Sequence, residues 1–322
     1  MARGRRIALI TAAAVLAVGT LAAAGCGGDD SSSSDTSGGS GDLSGRISID
    51  GSSTVAPLSS AAAEAFTADN GGVNITVGTS GTGGGFELFC AGTTQISDAS
   101  RAIKDEEAAT CEKNGVTYEE LRVASDGITI VTGANADVGG DNLTIAQLDA
   151  IWKPSSTIKN WDQIPPAGSF NDLPLTLAGA DSQSGTYDFF NEEVLGEDAS
   201  GETVTPRQDY TASADDNVTV RAVTGAEAGM GYFGYTYYEE NADALKDFSV
   251  DGVEPTVETI TDGSYPLSRP LFIYVNTEAL TRPEVAAFVR YYLENATTLA
   301  EDAQYVPAPQ SALDESLAKI PA

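Results

Sequence analysis

The chain has 322 residues and no histidine, and this absence limits the chemistry available to it. Without imidazole, Ser–His–Asp and Cys–His catalysis, general-base chemistry by histidine and histidine metal sites are excluded. The glycine-rich stretch at 78–86 lacks the Lys-Ser/Thr ending of a nucleotide P-loop, and no GxGxxG run lies in a dinucleotide-binding context. We therefore expect no enzyme, no metal site and no cofactor.

Basic residues are also scarce. The chain has 17 Lys and Arg against 47 Asp and Glu, which gives a formal net charge of −30. Nucleic acid is excluded as an expected partner, because binding to its phosphate backbone requires the opposite charge. The acidity indicates solubility. Salt screens charges beyond about 8 Å, so a small anion can still bind where hydrogen bonds and dipoles act on it locally.

The first 25 residues are typical of an export signal. Arg3, Arg5 and Arg6 precede a largely apolar segment at 7–24. Ala-Ala-Gly then precedes Cys26, as in the cleavage sites of lipoproteins, where the cysteine takes lipid and becomes the new N-terminus. We expect lipidation at Cys26, and an uncleaved membrane anchor stays open as the alternative.

Residues 26–45 are rich in Ser, Gly and Asp, and Leu43 is the one large apolar residue among them after Cys26. Such a segment cannot bury enough apolar surface to become ordered, and its composition is typical of a flexible tether. A lipid, a tether and then a folded domain predict an exported protein held at the outer face of the cell membrane.

The chain has three cysteines. If Cys26 carries lipid, Cys90 and Cys111 remain as an even pair. Exported proteins meet an oxidising compartment, so we expect a disulfide between them. Two unpaired buried thiols are the alternative.

Three Ser/Thr/Gly turns each follow an apolar, β-branched stretch and precede a helix-like segment, at 47–57, 74–86 and 175–190. The first helical N–H groups are free at such a point, the helix dipole adds positive charge, and glycine lets the backbone approach a ligand. A single turn of this kind is more often a plain helix cap, but three of them predict an oxyanion site. The residues concerned are Ser52, Ser53 and Thr54 in turn 1, Ser80, Gly81 and Thr82 in turn 2, and Ser184, Gly185 and Thr186 in turn 3.

Beyond residue 45, the pattern alternates between helix and strand, which indicates the α/β class. Predicted helices lie at 57–69, 104–114, 144–152, 215–224 and 281–295, and predicted strands at 121–132, 175–178, 229–238 and 270–275. We expect Thr144, Ser213 and Thr281 to cap their helices. Ligands in α/β folds bind where strands turn into helices, which is where the three turns lie.

Five motifs, in order from about residue 46 to near the C-terminus, carry a family resemblance. They are IDGSSTVAPL (49–58), VGTSGTGGGFELFCAG (77–92), ISDASRAIKDEE (96–107), GADSQSGTYDFF (179–190) and DGSYPLSRPLFIYVN (262–276). Together they resemble the phosphate-binding proteins of bacterial high-affinity phosphate ABC transporters.

The resemblance implies a periplasmic-binding-protein-like α/β fold, with two lobes joined by two hinge crossovers and the ligand in the cleft between them. Residues 46–133 and 265–322 would form lobe 1, and residues 134–264 would form lobe 2. The turn-rich segments 131–140 and 262–266 suit the hinges. The expected partners are inorganic phosphate and the permease and ATPase subunits of a transporter, and we expect the receptor to be a monomer.

The resemblance also assigns phosphate-binding residues, and closing the cleft would complete their shell around the anion. They are Ser53, Thr54 and Val55 from turn 1, Ser80, Gly81 and Thr82 from turn 2, and Ser184, Gly185 and Thr186 from turn 3. A desolvated dianion needs about a dozen such hydrogen bonds, because an uncompensated buried charge is far too costly.

Two positions depart from some members of the family. An aspartate follows the Ala-Ser of the ISDASR motif in those members, where this chain has Arg101. They also have an arginine four residues before the serine of turn 3, where this chain has Ala180. Our hypothesis is that the arginine and the acid have exchanged lobes and that Arg101 binds the anion. A surface ion pair of Arg101 with Asp98 or Asp105 stays open.

An ionised carboxylate beside the anion would accept a hydrogen bond from the protonated oxygen of phosphate and would repel sulfate, which carries no proton. Asp181, Asp98 and Asp126 are the candidate proton acceptors, although each could instead be a turn or cap residue.

The sequence thus predicts a membrane-tethered receptor that binds phosphate and delivers it to a permease. Three alternatives stay open: a receptor for sulfate or molybdate, a surface module that senses phosphate without delivering it, and a phosphate-ester hydrolase with Ser53 or Thr54 as nucleophile.

Overall fold

The computed structural model describes residues 43–321. The predicted export signal at 1–25, the lipidation site Cys26 and most of the tether lie outside the described residues. The first strand already begins at Ser44, which falls inside the predicted tether. Within residues 43–321, no helix has the length and apolar character needed to cross a bilayer.

Short strands and helices alternate along the chain. The strands are β1 (Ser44–Gly51), β2 (Gly72–Val77), β3 (Ile96–Ala99), β4 (Tyr118–Gly133), β5 (Asn142–Leu143), β6 (Thr176–Gly179), β7 (Thr211–Ala212), β8 (Gly229–Gly234), β9 (Leu245–Asp247), β10 (Ser249–Val250), β11 (Ser268–Asn276) and β12 (Val306–Pro307). The helices are α1 (Ala56–Asp69), α2 (Gly81–Cys90), α3 (Asp105–Lys113), α4 (Ile145–Trp152), α5 (Gly185–Phe190), α6 (Asp216–Gly225), α7 (Tyr235–Glu240), α8 (Val257–Asp262), α9 (Pro283–Glu294), α10 (Ala296–Asp302) and α11 (Gln310–Ala318).

One mixed sheet runs through the molecule in the order β2-β1-β3-β11-β4-β8-β6-β7, and β9 and β12 also pair with β4. Pairing is parallel at both ends of this order and antiparallel among β3, β11, β4 and β8. The long strand β4 pairs with β11 through residues 118–127 and with β8 through residues 128–132. It therefore continues from one half of the sheet into the other.

Each half of the sheet has its own apolar core. The first core packs β1, β11 and the first part of β4 against α1 and α9, and the second packs the rest of β4, β6 and β8 against α4 and α5. On β4 the change from the first core to the second falls between Ala124 and Ile128. Burial of these two clusters is the main stabilising term of the fold.

The helices and strands predicted from the pattern form, with small shifts at their ends. The cap at Thr144 is confirmed, because its Oγ1 accepts a hydrogen bond from the Gln147 N–H at 3.1 Å. The cap at Ser213 is wrong: Asp215, which lies nearer the helix, accepts from the Asn217 N–H at 3.0 Å.

Two further details of the predicted elements are wrong. Thr281 belongs to a 3₁₀ turn, Ala279–Thr281, and its hydroxyl donates to the Glu278 carbonyl, so α9 begins at Pro283 without that cap. The aromatic strand stops at Gly234, and the tyrosines after it form α7. The Tyr235 hydroxyl donates to Glu239 at 3.0 Å, a local contact between residues four apart that suits a helix.

The predicted disulfide between Cys90 and Cys111 is confirmed. It joins the last residue of α2 to α3 within a small aromatic cluster, and both sulfurs belong to buried residues. The bond closes a loop with a sequence separation of 21, so it restricts the unfolded chain more than the folded one.

The double variant Cys90→Ala/Cys111→Ala should lose about 3 kcal/mol of unfolding free energy, because the unfolded chain regains its loop entropy. Urea unfolding of the two proteins measures the difference. A reductant should destabilise the wild type by a similar amount and leave the variant unchanged. Equal stability of the variant and the oxidised wild type would contradict this expectation.

Candidate functional site

Turn 1 lies between β1 and α1, and side chains bind the backbone groups of its Thr54. The Thr54 N–H donates to the Ser52 Oγ at 3.2 Å, and the Tyr305 hydroxyl donates to the Thr54 carbonyl at 3.0 Å. Thr54 and Val55 are buried, whereas Ser53 is exposed. The side chain of Thr54 therefore points into the protein from a fixed position.

Turn 3 meets turn 1 directly. Ser184 caps α5, since its Oγ accepts from the Thr186 N–H at 3.2 Å. The next residue, Gly185, lies so close to turn 1 that a Cβ atom there would be 2.8 Å from the Thr54 Oγ1. Glycine is needed at this position because of that close approach. Two of the three predicted turns are thus brought together.

Arg269 lies on β11 at the point where these turns meet. Its side chain is 10% exposed. The Nη2 atom donates to the Thr54 Oγ1 at 2.9 Å and lies 3.5 Å from the Gly185 carbonyl oxygen. The Nε atom donates to the Asp126 Oδ2 at 3.3 Å, across the β11–β4 pair. A buried guanidinium with a carboxylate partner is therefore fixed at the junction of turns 1 and 3.

Two contacts with the segment around α5 complete the surroundings of Arg269. The guanidinium carbon lies 3.9 Å from the ring centre of Phe189, which is cation–π distance. The Nη1 atom lies 3.5 Å from the Glu192 Oε2. Glu192 belongs to a π-helical turn, Asn191–Leu195, that continues from α5.

Arg269 was not among the residues predicted from the sequence. The sequence does contain an indication of its role. Arg269 lies in the mostly apolar run LSRPLFIYV at 267–275, in a chain that has 17 basic residues. A charge in a strand of that kind is costly to bury and is retained where it has a partner or a ligand.

Turn 2 is joined to turn 1 through Asp50, and among the described residues it makes no side-chain hydrogen bond to turn 3. The N–H and the hydroxyl of Ser80 both donate to the Asp50 Oδ1, at 2.9 and 2.6 Å. The Thr82 and Ser100 hydroxyl oxygens are 3.0 Å apart. Asp50 stands at the end of β1, just before turn 1, and so links the two turns; its role was not predicted.

A cavity of about 600 Å³ connects turn 2 with Arg269. Its wall combines glycines and hydroxyls of turn 2 with cationic and acidic side chains. The lining residues are Gly81, Thr82, Gly83, Ser100, Arg101, Ala102, Lys104, Glu192, Glu193, Glu197, Thr203, Arg269 and Pro270. Arg101 and Arg269 therefore face the same space, although turns 1 and 3 are not part of its wall.

Arg101 forms a two-pronged ion pair with Glu107, with both N···O distances at 2.8 Å. The suggested pairing with Asp98 or Asp105 is wrong. The partner is Glu107 in the first turn of α3, whose carboxylate folds back to the start of that helix, next to Arg101. This hydrogen bond to Glu107 raises the pKa of Arg101. Arg101 lines the cavity, while Arg269 is the cation at turns 1 and 3.

The three candidate proton acceptors lie in different surroundings. Asp181 Oδ1 accepts from the Gln183 N–H at 2.9 Å, as an ordinary turn residue does. Asp126 is buried beside Arg269; burial raises its pKa, and the arginine opposes that shift. Both carboxylates therefore already have partners: Asp181 in its own turn and Asp126 in its ion pair with Arg269.

Asp98 is fully buried beneath turn 1, and its backbone carbonyl accepts from the Ser52 N–H at 2.9 Å. Its Oδ1 accepts from the Ser59 hydroxyl at 2.8 Å, whereas its Oδ2 is buried without a hydrogen-bond partner among the described residues. Burial raises the pKa of Asp98 to about 8; the bond from Ser59 opposes the shift and the charge of Asp50 adds to it.

Comparison with known proteins gives consistent matches. The PBP superfamily domain matches residues 31–296. Protein SphX of Synechococcus elongatus is 43% identical over 274 residues, which is 83% of this chain and 78% of that protein. Phosphate-binding protein PstS of Staphylococcus saprophyticus is 40% identical over 289 residues, covering 87% of this chain and 86% of that protein.

Solved structures agree with these matches. A possible phosphate binding protein from Planctomyces limnophilus has a TM-score of 0.79 and 41% identity, with 85% of this chain and 96% of that chain covered. An ABC-type phosphate transport receptor from Vibrio cholerae, at 23% identity and a TM-score of 0.64, covers 81% of this chain and 99% of that chain and bears on the fold alone. The predicted periplasmic-binding-protein-like α/β class is confirmed.

Proposed function

The chain belongs to the PBP superfamily and, within it, to the family of PstS phosphate-binding proteins, and from this premise we propose that it is the phosphate receptor of an ABC transporter. The observation that carries the proposal is the junction of turns 1 and 3 at the buried Arg269. A fixed guanidinium beside two helix N-termini suits a small, doubly charged oxyanion. The protein would act by binding and release, without chemistry on its ligand.

The phosphate shell would combine backbone N–H groups, hydroxyls and the guanidinium. From the turns, the donors are those of Ser53, Thr54, Val55, Ser80, Gly81, Thr82, Ser184, Gly185 and Thr186, as the sequence predicts. To these we add Arg269 as the principal cation, because it contacts turns 1 and 3 directly. Arg101 remains a secondary cation, because Glu107 binds both of its Nη atoms. Asp126 would orient Arg269 through the Nε contact.

We propose that Asp98 is the residue that distinguishes phosphate, which carries a proton, from sulfate, which does not. Its unpartnered Oδ2 lies beneath turn 1, whereas Asp126 is engaged by Arg269 and Asp181 by its own turn. When ionised, Asp98 would accept a hydrogen bond from a protonated phosphate oxygen and would repel sulfate. When protonated, it could donate to either anion.

The proposed binding cycle requires two lobes that close on the ligand. The separate cores on the two halves of the sheet support this division, and would place its boundary on β4 between Ala124 and Ile128. On β11 the corresponding boundary would lie between Leu267 and Leu271. Both positions lie within ten residues of the predicted boundaries at 133 and 265.

We further propose that the receptor is exported, is held at the outer face of the membrane by lipid on Cys26, and acts as a monomer that docks on a permease. The signal-like N-terminus supports export, and the Ser/Gly-rich composition of residues 27–43, which precede β1, supports a tether between the anchor and the domain. Metabolic labelling with a fatty-acid analogue should mark the wild type and leave Cys26→Ser unmarked.

Calorimetry tests the proposed function. The mature protein, freed of bound anion, should bind phosphate with one-to-one stoichiometry. Above about pH 8, where Asp98 is ionised, it should bind sulfate at least about tenfold more weakly than phosphate, a difference of about 1.4 kcal/mol. Equal affinity for both anions would make the protein a general oxyanion receptor. No heat with either anion would overturn the proposal in favour of a surface module.

A further inference from the structure

Glu192 occupies the outer edge of the Arg269 guanidinium. Nε of this arginine faces Asp126 and Nη2 faces Thr54, so Nη1 is the remaining donor atom, and Glu192 Oε2 lies 3.5 Å from it. The Glu192 side chain is 53% exposed, whereas that of Arg269 is 10% exposed. An exposed carboxylate thus reaches the edge of the buried cation that turn 1 and the Asp126 contact leave open.

The cavity lies on this same side of Arg269. Turn 2, Arg101 and Lys104 form part of its wall, and Glu192 and Glu193 form another part. An anion that enters the cavity and approaches Nη1 comes close to the Glu192 carboxylate. Like charges about 4 Å apart repel by about 1 kcal/mol in water and by a few kcal/mol near a protein surface.

Glu193 provides a contrast at the next position of the π-helical turn. It is also exposed and also lines the cavity, and it makes no ion pair with Arg269 within 4 Å among the described residues. The two glutamates therefore carry the same charge into the same cavity, and only Glu192 contacts the cation.

We propose that Glu192 is an affinity-setting residue: its carboxylate competes with the bound anion for Nη1 of Arg269 and must move away for tight binding. This inference rests on the proposed function of the site. A built-in competitor lowers the affinity for the anion, and it recaptures Arg269 when the anion leaves, which favours release to a transporter. Such a residue acts on the binding equilibrium without belonging to the phosphate shell.

The test uses Glu192→Gln, which keeps the shape of the side chain and removes its charge. The variant should bind phosphate about 5- to 10-fold more tightly than the wild type, mainly through slower dissociation, because most changes within one binding site appear in the off-rate. Glu193→Gln is the matched control: Glu193 acts on Arg269 through its charge without an ion-pair contact, so this variant should change the affinity by less than about twofold and by clearly less than Glu192→Gln does. Calorimetry gives the affinities and stopped-flow displacement gives the off-rates.

The outcomes separate this inference from the proposed function. If the wild type binds phosphate and Glu192→Gln binds it equally or more weakly, Glu192 is not a competitor and the inference is overturned while the receptor function stands. Equal tightening by both substitutions would assign the effect to the overall charge of the cavity and would also overturn it. If the wild type binds neither phosphate nor sulfate, the proposed function fails and the inference fails with it.

Discussion

Replacing Arg269 by methionine should lower the affinity for phosphate by at least about 100-fold, because truncating one partner of a buried, hydrogen-bonded charge pair costs 2–5 kcal/mol or more. Methionine keeps most of the side-chain length and removes the charge and all the donors. The guanidinium is held by Thr54 on one side and by Asp126 on the other, so water cannot easily replace it. Calorimetry with phosphate measures the loss.

The same substitution would leave Asp126 buried without its counter-charge, and Asp126 is 3% exposed. Arg269→Met should therefore also lower the unfolding temperature. The double variant Arg269→Met/Asp126→Asn removes that unpaired charge, so it should recover most of the stability and still fail to bind phosphate. This second variant separates a loss of binding from a loss of folding.

Arg221→Ala is the matched control for charge, because Arg221 is exposed on α6 and changes the net charge by the same amount. It should bind phosphate as the wild type does. Retention of phosphate binding within about threefold by Arg269→Met would contradict our assignment, since a factor of three is less than about 1 kcal/mol. The anion would then have to be neutralised by Arg101.

The α/β class and the three turns could be predicted because their signals are local. Strand, turn and helix each leave a pattern within about ten residues, and the cap at Thr144 follows from its capping-box spacing to Gln147. The disulfide was predicted by counting cysteines in a chain expected to be exported. None of these steps required knowledge of which distant segments meet.

The cation of the site could not be predicted in the same way. Arg101 follows directly after a recognisable motif, and its partner Glu107 lies six residues away. Arg269, by contrast, meets Thr54 and Gly185 only because β11 inserts between β3 and β4 in the sheet. Sequence spacing shows which residues share a turn, whereas tertiary packing decides which side chains share a cleft.

Asp98→Asn should change how stability depends on pH. Burial raises the pKa of Asp98 to about 8 in the folded protein, whereas the pKa of the carboxyl in the unfolded chain lies near its ordinary value of 3.8. The folded state thus holds a proton that the unfolded state releases. The stabilising contribution is fully present below the unfolded pKa and is lost as the pH rises through the folded pKa. Its upper limit is about 6 kcal/mol, at about 1.4 kcal/mol per pH unit.

Urea unfolding of the wild type and Asp98→Asn between about pH 5 and pH 9 measures this dependence. The wild type should lose stability relative to the variant as the pH rises to about 8, and the difference should level off above it. The other titrating groups change the unfolding free energy of both proteins equally with pH, so their contributions cancel in the difference between the two proteins. Ser59 on α1, Tyr292 beyond it on α9 and Asp50 on β1 surround the carboxyl and stay unchanged in the variant. Parallel profiles would show that Asp98 is already ionised at neutral pH.

The same titration bears on the choice of anion. Below its pKa, protonated Asp98 can donate a hydrogen bond to phosphate or to sulfate. Above its pKa, the Asp98 carboxylate accepts a hydrogen bond from the protonated oxygen of phosphate and repels sulfate. The preference for phosphate should therefore increase as the pH rises through about 8 in the wild type and stay flat in Asp98→Asn. Burial links the pH dependence of stability to the preference for phosphate. The low polarity around Asp98 makes its carboxyl costly to ionise, and the same low polarity strengthens the repulsion between the ionised carboxylate and an unprotonated anion.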